Sequence, residues 1–337
     1  MKILVVKLSS LGDVIQTMPV VEDILNNVPG AAIDWVVEED FAPLVKRVQG
    51  VRRVLPIAER RWRKSRFDAT TRQQQAAFLV KLQAENYDAV IDFQGLIKSA
   101  LVARKAKLAP GGFRATYANA SEACAYEWPV RFMLNRALPM PKRIHAVARY
   151  RTLAAAALNY KLYGEPVYHL LHQSPETGPA QLEGRRTVVL AHGTTRQDNE
   201  WPQARWIDLG RRLTSQGYHV VLPQNGGMEL AFAKTVAQAI GHGAEVWPRM
   251  ALAPLLDHMA MSAGVIGVDS GLSHLAVALD VPHVQIFSQP RAWRAGPVGR
   301  EHQVAVGGEV APNTNLVWRA WLKVSEGSDS MWQSPSF

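Results

Sequence analysis

Short apolar runs alternate with longer amphipathic segments along the chain, and this alternation predicts its fold class. In the first half, apolar runs predict four strands, at Ile3–Leu8, Ile33–Val37, Arg53–Ile57 and Ala89–Phe93. Apolar residues at helical spacing predict amphipathic helices between them, at residues 20–28 and 73–87. Strands that alternate with helices build parallel sheets, so the pattern predicts an α/β protein.

The second half of the chain repeats this alternation. Apolar runs predict strands within residues 186–193, 218–223, 264–271 and 283–287. Helical spacing predicts helices at residues 204–217, 228–240, 252–263 and 272–280. Two successive halves of this kind predict two Rossmann-like domains with parallel sheets that face each other across a cleft. Ligands of such sheets bind at the carboxyl ends of the strands, on loops that enter the next helix.

The predicted domain boundary is a stretch that loses periodicity and gathers Pro, Gly and Gln, a composition typical of linkers. The 337 residues of the chain also exceed what one hydrophobic core usually serves. We therefore predict an N-terminal domain at 1–165, a linker at 166–184, a C-terminal domain at 185–325 and a flexible tail at 326–337.

Composition excludes several classes of protein. Hydrophobic residues make up 47% and charged residues 20%, as in a soluble globular protein. The single cysteine, Cys124, cannot form an internal disulfide, and no zinc-type spacing of Cys and His occurs, which favours the cytoplasm. The apolar run at the N-terminus is too short for a signal peptide. No apolar stretch reaches the roughly 18 residues that a membrane span needs.

The chain is basic, with 38 Lys and Arg against 29 Asp and Glu, a net charge of +9. The excess is concentrated in "RRWRKSR", residues 60–66, with five basic residues and one tryptophan. This charge favours a polyanionic partner, either nucleic acid, an anionic membrane surface or a phosphorylated substrate. Charge alone does not choose among the three.

The first predicted loop of the N-terminal half carries the stretch "VVKLSSLGDVIQTMP", residues 5–19. Gly12 is its only glycine, so it is neither a dinucleotide-binding fingerprint nor a Walker loop. Asp13 stands where a helix begins, and a helix N-cap is one interpretation. The other is a general base within hydrogen-bond reach of an acceptor hydroxyl. The residues themselves leave both open.

Three positions in the C-terminal half are candidate contacts to an anionic nucleotide. In residues 191–202, two threonines follow a buried strand and offer amides and hydroxyls to phosphate, helped by Arg196. In residues 267–279, a helix begins after Asp269, and helix N-termini attract phosphate. Glu229 follows a strand and is placed to accept from ribose hydroxyls. Each position has an alternative interpretation. The loop at 191–202 is then a capped polar turn, His274 is a packing residue, and Glu229 is an ordinary glutamate in the first turn of a helix.

Several motifs occur together in the order of one family. They are "KLSSLGD" at 7–13, "WVVEEDFA" at 35–42, "RRWRK" at 60–64, "YDAVIDFQGLIKSA" at 87–100, "TTRQDNEWP" at 194–202 and "VDSGLSHLAVALDVP" at 268–282. With them the chain, from residue 1 to about 325, resembles the ADP-heptose glycosyltransferase family. "RRW" and "QGLIKSA" resemble its heptosyltransferase I branch more than its heptosyltransferase II branch.

The resemblance implies a GT-B fold and an activity. The activity is transfer of L-glycero-D-manno-heptose from ADP-heptose to the first Kdo of Kdo2-lipid A, inverting the anomeric centre without a metal or other cofactor. Asp13 corresponds to the catalytic base. The implied donor-binding residues are Thr194, Thr195, Arg196, Asn199, Glu229, Met250, Asp269, Ser270, Gly271 and His274. Thr194 and Thr195 match residues that hold pyrophosphate, Glu229 a ribose-binding glutamate, and Met250 a residue beside adenine.

The acceptor side and the cellular location follow from the same resemblance. Kdo-lipid A carries carboxylates and phosphates, which suit basic side chains. The implied acceptor contacts are Arg60, Arg61, Arg63, Lys64, Gln94 and Lys98. A solvated basic turn is the alternative for the cluster at 60–64, and Asp92 on the same side is either an acceptor-side residue or a helix cap. We expect a cytoplasmic enzyme in peripheral contact with the inner membrane, and no nucleic-acid partner.

One position departs from the family pattern. Asn199 stands where related enzymes carry a lysine that neutralises the leaving ADP, and an amide supplies no charge. Arg196, His274 and the helix dipoles then carry more of that task, or the enzyme is altered. Two other functions stay open, a same-fold glycosyltransferase with another donor or acceptor and a non-catalytic polyanion-binding protein. The missing glycine fingerprint argues against a dehydrogenase.

Overall fold

The computed structural model describes residues 1–65, 67–174 and 186–326. The chain divides into two compact units, Met1–Leu171 and His172–Phe337. The predicted linker at 166–184 spans this division. Its residues 175–184, and residues 327–337 of the predicted tail, lie outside the described residues.

Unit 1 contains a six-stranded parallel sheet with helices between its strands. The strands are β1 (Lys2–Val6), β2 (Ala32–Glu38), β3 (Val51–Ile57), β4 (Asn86–Asp92), β5 (Lys107–Tyr117) and β6 (Arg136–Leu138). The helices are α1 (Leu11–Thr17), α2 (Pro19–Asn27), α3 (Ala42–Val45), α4 (Glu59–Lys64), α5 (Ala69–Leu82), α6 (Ile97–Lys105), α7 (Val130–Met133) and α8 (Ala146–Leu158). A short 3₁₀ helix covers Glu39–Phe41.

Unit 2 contains a second six-stranded parallel sheet. Its strands are β7 (Thr187–Ala191), β8 (His219–Leu222), β9 (Ala244–Val246), β10 (Gly264–Val268), β11 (His283–Phe287) and β12 (Gln303–Gly307). Its helices are α9 (Gln203–Ser215), α10 (Gly227–Ile240), α11 (Leu252–Ala260), α12 (Gly271–Ala278), α13 (Ala292–Ala295) and α14 (Thr314–Ser325), with a short 3₁₀ helix at Gln197–Asn199.

The two sheets have the same topology. The strand order is β3-β2-β1-β4-β5-β6 in unit 1 and β12-β11-β10-β7-β8-β9 in unit 2. Both are the Rossmann order, in which the chain reverses its winding beside the first strand. The reversal lies between β1 and β4 in unit 1 and between β7 and β10 in unit 2. Loops that follow these four strands therefore border the switch points, where doubly wound sheets bind ligands.

Burial explains why the central strands were visible in the sequence. Ile3–Val6 of β1, Val188–Ala191 of β7 and Val265–Ile266 of β10 are fully buried. Helices cover both faces of a parallel sheet, so its central strands are continuous apolar runs rather than alternating ones. The α/β class and the two parallel sheets predicted from the sequence are confirmed.

Four strands were missed, and one helix was drawn too long. β5, β6, β9 and β12 are edge or near-edge strands with polar or glycine-containing sequences, which weaken the apolar signal. The helix predicted at 73–87 ends at Leu82, and Asn86 already begins β4. Tyr87 is fully buried there, and its hydroxyl donates to Asp34 at 2.8 Å, so tertiary packing ends the helical pattern.

Candidate active site

Asp13 lies in the first turn of α1, after the loop that leaves β1. The N-cap of α1 is Ser10, so the interpretation of Asp13 as the N-cap is wrong. Asp13 is the third helical residue, and its Oδ2 accepts from the backbone N–H of Ser10 at 3.2 Å and from its hydroxyl at 2.9 Å. Its Oδ1 accepts from the Tyr150 hydroxyl at 3.0 Å. The carboxylate is therefore oriented at both oxygens while the residue stays half-buried.

Gln94 joins the two loops at the switch point of unit 1. Its Oε1 accepts from the backbone N–H groups of Leu8 and Ser9, at 3.0 and 3.2 Å. The loop that carries Gln94 is anchored by Asp92, whose Oδ1 accepts from the Gln94 N–H at 3.0 Å. Asp92 therefore caps this loop, and Gln94 shapes the loop that presents Asp13. Burial raises the pKa of Asp92 to about 6.

Two buried cations lie close to these carboxylates. The Lys7 ammonium donates to the Tyr150 hydroxyl at 3.0 Å and to the Phe93 carbonyl at 3.4 Å. Burial lowers the pKa of Lys7, and the charge of Asp13 acts in the opposite direction. The Arg149 guanidinium is 2% exposed and lies 3.5 Å from the ring centroid of Tyr117. Neither cation was singled out by sequence reasoning.

The basic cluster at 60–64 forms α4, not a turn, and its members have different surroundings. Arg61 is bidentate to Glu39, with both N–O distances 3.0 Å. The Arg60 guanidinium lies 5.6 Å from the ring of Phe41. Arg63 and Lys64 are exposed. Trp62 is buried and anchors the helix against Phe78. All four basic residues are exposed, so what sets Arg61 apart is its ion pair with Glu39.

Lys98 lies on α6 beside a cavity of about 420 Å³ in unit 1. The lining is apolar at Trp62, Phe78 and Leu101 and basic at Arg72, Lys98 and Lys105. The charge of Lys98 acts on Glu38 at the end of β2, and so does Arg60 of α4. Burial raises the pKa of Glu38, and these two cations act in the opposite direction. Lys98 and the basic cluster thus belong to one surface of unit 1.

In unit 2, the loops after β7 and β10 are joined through Asp269. The Asn199 amide donates to the Asp269 carbonyl at 3.0 Å and to its carboxylate at 3.3 Å. Thr194 donates to the same carbonyl at 3.4 Å, and Gln285 donates to the carboxylate at 3.2 Å. His274 Nε2 lies 3.4 Å from Asp269 Oδ1. Thr194 and Asn199 of one predicted loop and Asp269 and His274 of another therefore form one cluster.

The charge of Asp269 is stabilised despite its burial. Burial by itself acts to raise the pKa of Asp269, but the hydrogen bond and charge of His274 outweigh it, helped by Arg294 and Arg291. The net effect holds the pKa below its ordinary value. Positive potential therefore surrounds this end of β10 although position 199 carries no charge.

The N-terminus of α12 presents donors beside this cluster. Ser270 is the N-cap, and Gly271 is the first helical residue. The Ser270 Oγ is buried and has no hydrogen-bond partner among the residues that the structure describes. The first N–H groups of a helix likewise lack intrahelical acceptors. Unfilled donors and the helix dipole together suit a phosphate group.

A cavity of about 430 Å³ lies next to the β7 loop of unit 2. Two predicted donor residues, Thr194 and Glu229, line it together with His192, Gly193, Gln197, Glu200, Trp201, Met228 and Phe232. The Glu229 carboxylate packs so closely on Gly193 that a side chain at 193 would collide with it. His192 stacks on Phe232 at 5.1 Å, and burial lowers its pKa, which favours the neutral ring. The cavity therefore combines a flat aromatic wall with two carboxylates, those of Glu200 and Glu229.

Among the described residues, the side chains of three predicted donor residues neither hydrogen-bond to Asp269 nor line the cavity beside Glu229. Thr195 is exposed. Arg196 forms a bidentate ion pair with Asp198, at 3.0 and 2.9 Å, and Asp198 also pairs with Arg291 at 3.0 Å. Met250 is half-buried just before α11 and does not line the cavity beside Glu229.

Comparison with known proteins shows the family of this chain. The sequence profile of glycosyltransferase family 9 (heptosyltransferase) matches residues 76–317. Lipopolysaccharide heptosyltransferase 1 of Escherichia coli K12 is 38% identical over 318 residues, which cover 94% of this chain and 96% of that relative. The chain belongs to glycosyltransferase family 9. The resemblance that the motifs indicated is confirmed, and the protein is a glycosyltransferase.

Other members extend the comparison. Lipopolysaccharide heptosyltransferase 1 of Pseudomonas aeruginosa is 36% identical over 315 residues, covering 92% of this glycosyltransferase and 84% of that relative. The structure of "E. coli heptosyltransferase WaaC with ADP" superposes with a TM-score of 0.80 at 34% identity, covering 98% and 99% of the two chains. A family 9 member from Veillonella parvula has the same TM-score of 0.80 at 16% identity and shares the fold.

Sequence reasoning missed residues of this glycosyltransferase that contact a predicted site residue but lie far from it in the chain. Tyr150 lies 137 residues from Asp13, and Gln285 lies 16 residues from Asp269 on a neighbouring strand. No local motif marks either one. His192 lies within residues 191–202 but is not among the predicted contacts, although its place directly after β7 was a usable signal.

The part of the chain that the structure describes contains no group of three or more His, Cys, Asp or Glu arranged to hold a metal ion. None of the helices in these residues is long and apolar enough to cross a membrane.

Proposed function

We propose that this glycosyltransferase moves L-glycero-D-manno-heptose from ADP-heptose to the first Kdo of Kdo2-lipid A, in lipopolysaccharide core synthesis. Four relatives that are 36–38% identical over more than nine-tenths of the chain carry the name lipopolysaccharide heptosyltransferase 1. A second structure that the chain resembles is "E. coli heptosyltransferase WaaC with ADP-2-deoxy-2-fluoro heptose", with a TM-score of 0.75. The observation that carries the proposal is an oriented carboxylate at one switch point and unfilled phosphate donors at the other.

Asp13 is the proposed general base. The acceptor hydroxyl gives its proton to the carboxylate as its oxygen bonds to the anomeric carbon. The bond from that carbon to the β-phosphate oxygen breaks, and ADP leaves with the electron pair. One displacement inverts the anomeric centre. A positioned base of this kind typically contributes about 10²–10⁴-fold.

The donor site is proposed in unit 2. The diphosphate faces the N-terminus of α12 and the Ser270 hydroxyl, whose lack of a partner among the described residues supports this role. The ribose hydroxyls donate to Glu229, which lines the cavity of about 430 Å³. Thr194 and Thr195 contribute hydroxyls to the pyrophosphate, and Met250 lies against the adenine.

Stabilisation of the leaving ADP is proposed to need no lysine at position 199 and no metal. His274, Arg291 and Arg294 already act on the neighbouring Asp269 carboxylate and lower its pKa. The Arg291 and Arg294 guanidinium groups supply positive potential for a departing diphosphate. Asn199 holds Asp269 instead, through hydrogen bonds to its carbonyl and carboxylate. Arg196 and Arg291 share the charge of Asp198, so the two guanidinium groups together retain one positive charge.

The acceptor is proposed to bind in unit 1, at the surface of α4 and α6. Arg63, Lys64 and Lys98 are its main cationic contacts, and Arg60 assists. Arg61 has a smaller role because Glu39 and Gln74 occupy its guanidinium. Gln94 acts on the Asp13 loop through its bonds to backbone N–H groups.

Peripheral contact with the cytoplasmic face of the inner membrane is part of the proposal. Trp128 and Phe132 of unit 1 are 68% and 71% exposed, and the Arg131 guanidinium lies 5.0 Å from the Phe132 ring. Interfacial aromatic and basic side chains suit an anionic bilayer. The paired change Trp128→Ala and Phe132→Ala should reduce co-sedimentation with phosphatidylglycerol vesicles. The same change of Leu316 and Leu322, exposed on unit 2, should not.

The decisive experiment offers the purified protein ADP-heptose with Kdo2-lipid A and follows the product by mass spectrometry. One added heptose, formed equally well in excess chelator, supports the proposal. No reaction with this acceptor, but transfer to one that already carries a heptose, supports a heptosyltransferase II-like enzyme. A strict need for magnesium contradicts the metal-free scheme.

A further inference from the structure

A chain of hydrogen bonds leads from a buried ammonium to the Asp13 carboxylate. Lys7 Nζ donates to the Tyr150 hydroxyl at 3.0 Å, and that hydroxyl donates to Asp13 Oδ1 at 3.0 Å. Lys7 and Tyr150 are 4% and 3% exposed. The ammonium also lies 4.7 Å from the centroid of the Tyr150 ring. The three groups lie in the loop directly after β1, on α1 and on α8, so the folded unit holds them in contact.

We infer that Tyr150 and Lys7 are positioning residues that act on glycosyl transfer through Asp13, by fixing its carboxylate and favouring its ionised form. This inference rests on the proposed role of Asp13 as general base. Nothing in it requires Tyr150 or Lys7 to touch a substrate.

The physical argument has two parts. Ser10 holds Oδ2 and Tyr150 holds Oδ1, so the plane of the carboxylate is set by groups on both sides. Correct placement of a reacting group is worth a large factor in rate, and a displacement of about 1 Å costs about 10²-fold. A hydrogen bond to an ionised carboxylate also stabilises its charge. The Lys7 ammonium strengthens that bond by polarising the hydroxyl in a buried environment.

Other charged groups act on the same region and stay unchanged in the test. The charges of Asp13, Arg149, Asp92 and Cys124 all act on the Lys7 ammonium. Arg149 is the neighbour of Tyr150 on α8, and Asp92 ends β4. Tyr117 of β5 faces Arg149 across 3.5 Å. The variants below leave Arg149, Asp92, Cys124 and Tyr117 in place, so a change in the pH profile reports the altered chain of hydrogen bonds.

The test compares Tyr150→Phe with Tyr126→Phe in the heptosyltransferase assay across pH. Tyr150→Phe keeps the ring and removes the donor to Asp13. We expect kcat to fall about tenfold and the acid limb of kcat to move to higher pH, because the carboxylate loses a bond to its charged form. The KM for ADP-heptose should stay unchanged. Tyr126→Phe removes a hydroxyl that donates to the Ala118 carbonyl at 3.0 Å and should change neither quantity.

Lys7→Met is the second variant, and it removes the ammonium while keeping the tyrosine. It should move the acid limb in the same direction by a smaller amount. Combined with Tyr150→Phe, it should add little further loss, since the lysine acts through the hydroxyl.

A Tyr150→Phe enzyme with parental kcat and parental pH profile overturns the inference. So does a variant that loses only thermal stability. Asp13→Asn separates this failure from failure of the proposed function. If Asp13→Asn retains heptose transfer, Asp13 is not the base and the positioning role is wrong with it; if the parental enzyme transfers no heptose, the proposed function is wrong. If Asp13→Asn is inactive and Tyr150→Phe is normal, only the positioning role is wrong.

Discussion

The two switch points of this molecule have the same place in the same strand order but opposite electrostatic organisation. In unit 1, the buried Lys7 ammonium is acted on by the charges of Asp13 and Asp92 and by the buried Arg149 guanidinium. In unit 2, one carboxylate, Asp269, accepts from the amides of Asn199 and Gln285 and lies 3.4 Å from His274 Nε2, and the Ser270 hydroxyl beside it has no partner among the described residues. The first arrangement orients an accessible base. The second offers donors to an anion.

The difference shows how one topology supports two tasks. A Rossmann sheet brings the loops after its first and fourth strands together regardless of sequence. The residues in those loops then decide the chemistry. Gln94 ties the loops of unit 1 through backbone N–H groups, whereas Asn199 and Thr194 tie those of unit 2 through Asp269.

The largest expected effect comes from removing the base in unit 1. Asp13→Asn keeps the shape of the side chain but cannot accept the acceptor proton, so kcat should fall by at least about 100-fold. The Kd for ADP-heptose, measured by calorimetry, should stay within about twofold, because the donor residues belong to unit 2. Loss of donor binding in this variant would break the division of tasks between the units.

The next effect concerns the buried charges of unit 1. Burial raises the pKa of Asp92 to about 6 from its ordinary 3.8, so the native state retains a proton that the unfolded chain releases between these values. The stabilisation that protonated Asp92 provides is therefore present below pH 3.8 and is lost as the pH rises from 3.8 to about 6.

Asp92→Asn cannot ionise and escapes this loss. Between pH 4 and pH 7 its free energy of unfolding should rise by up to about 3 kcal/mol relative to the parent. Urea unfolding at both pH values measures it. Asp40→Asn, an exposed aspartate of the same unit, is the control and should show no such trend. A difference between Asp92→Asn and the parent that is independent of pH would contradict the burial argument.

A smaller effect tests the unfilled donor of unit 2. Ser270→Ala should weaken ADP-heptose binding about tenfold through loss of one hydrogen bond to a charged oxygen. Its thermal stability without ligand should be unchanged or higher, because a buried hydroxyl without a described partner is removed. Ser262→Ala is the matched control, since the Ser262 hydroxyl already donates to the Met259 carbonyl at 2.7 Å. Equal affinities in the two variants would remove Ser270 from the donor site.

The smallest effect distinguishes residues within the basic cluster. Arg63→Ala combined with Lys64→Ala should raise the KM for Kdo2-lipid A a few-fold, roughly the worth of exposed ion pairs. Arg61→Ala should raise it less, because Glu39 neutralises that guanidinium. Initial rates at varied acceptor concentration measure both. A larger effect of Arg61 would show that its pair with Glu39 opens for the acceptor.

Much of the fold follows from local patterns in the chain. Buried central strands such as β1, β7 and β10 are apolar runs because both of their faces are covered, and periodicity finds them. Edge strands such as β9 and β12 carry polar residues, so the same method misses them. The boundary between α5 and β4 was misplaced because it depends on the contact of Tyr87 with Asp34. These two residues are 53 positions apart in the chain, so no local pattern reports their contact.

The sequence by itself determined the alternation of strands and helices, the basic balance and the loops in which Asp13, Thr194 and Asp269 lie. These properties depend on residues close together in the chain. Tertiary structure alone decided that Tyr150 and Lys7 meet at Asp13, that Gln285 reaches Asp269, and that Glu39 neutralises Arg61. Such contacts join distant segments, and only the packed sheet brings their atoms within hydrogen-bond distance.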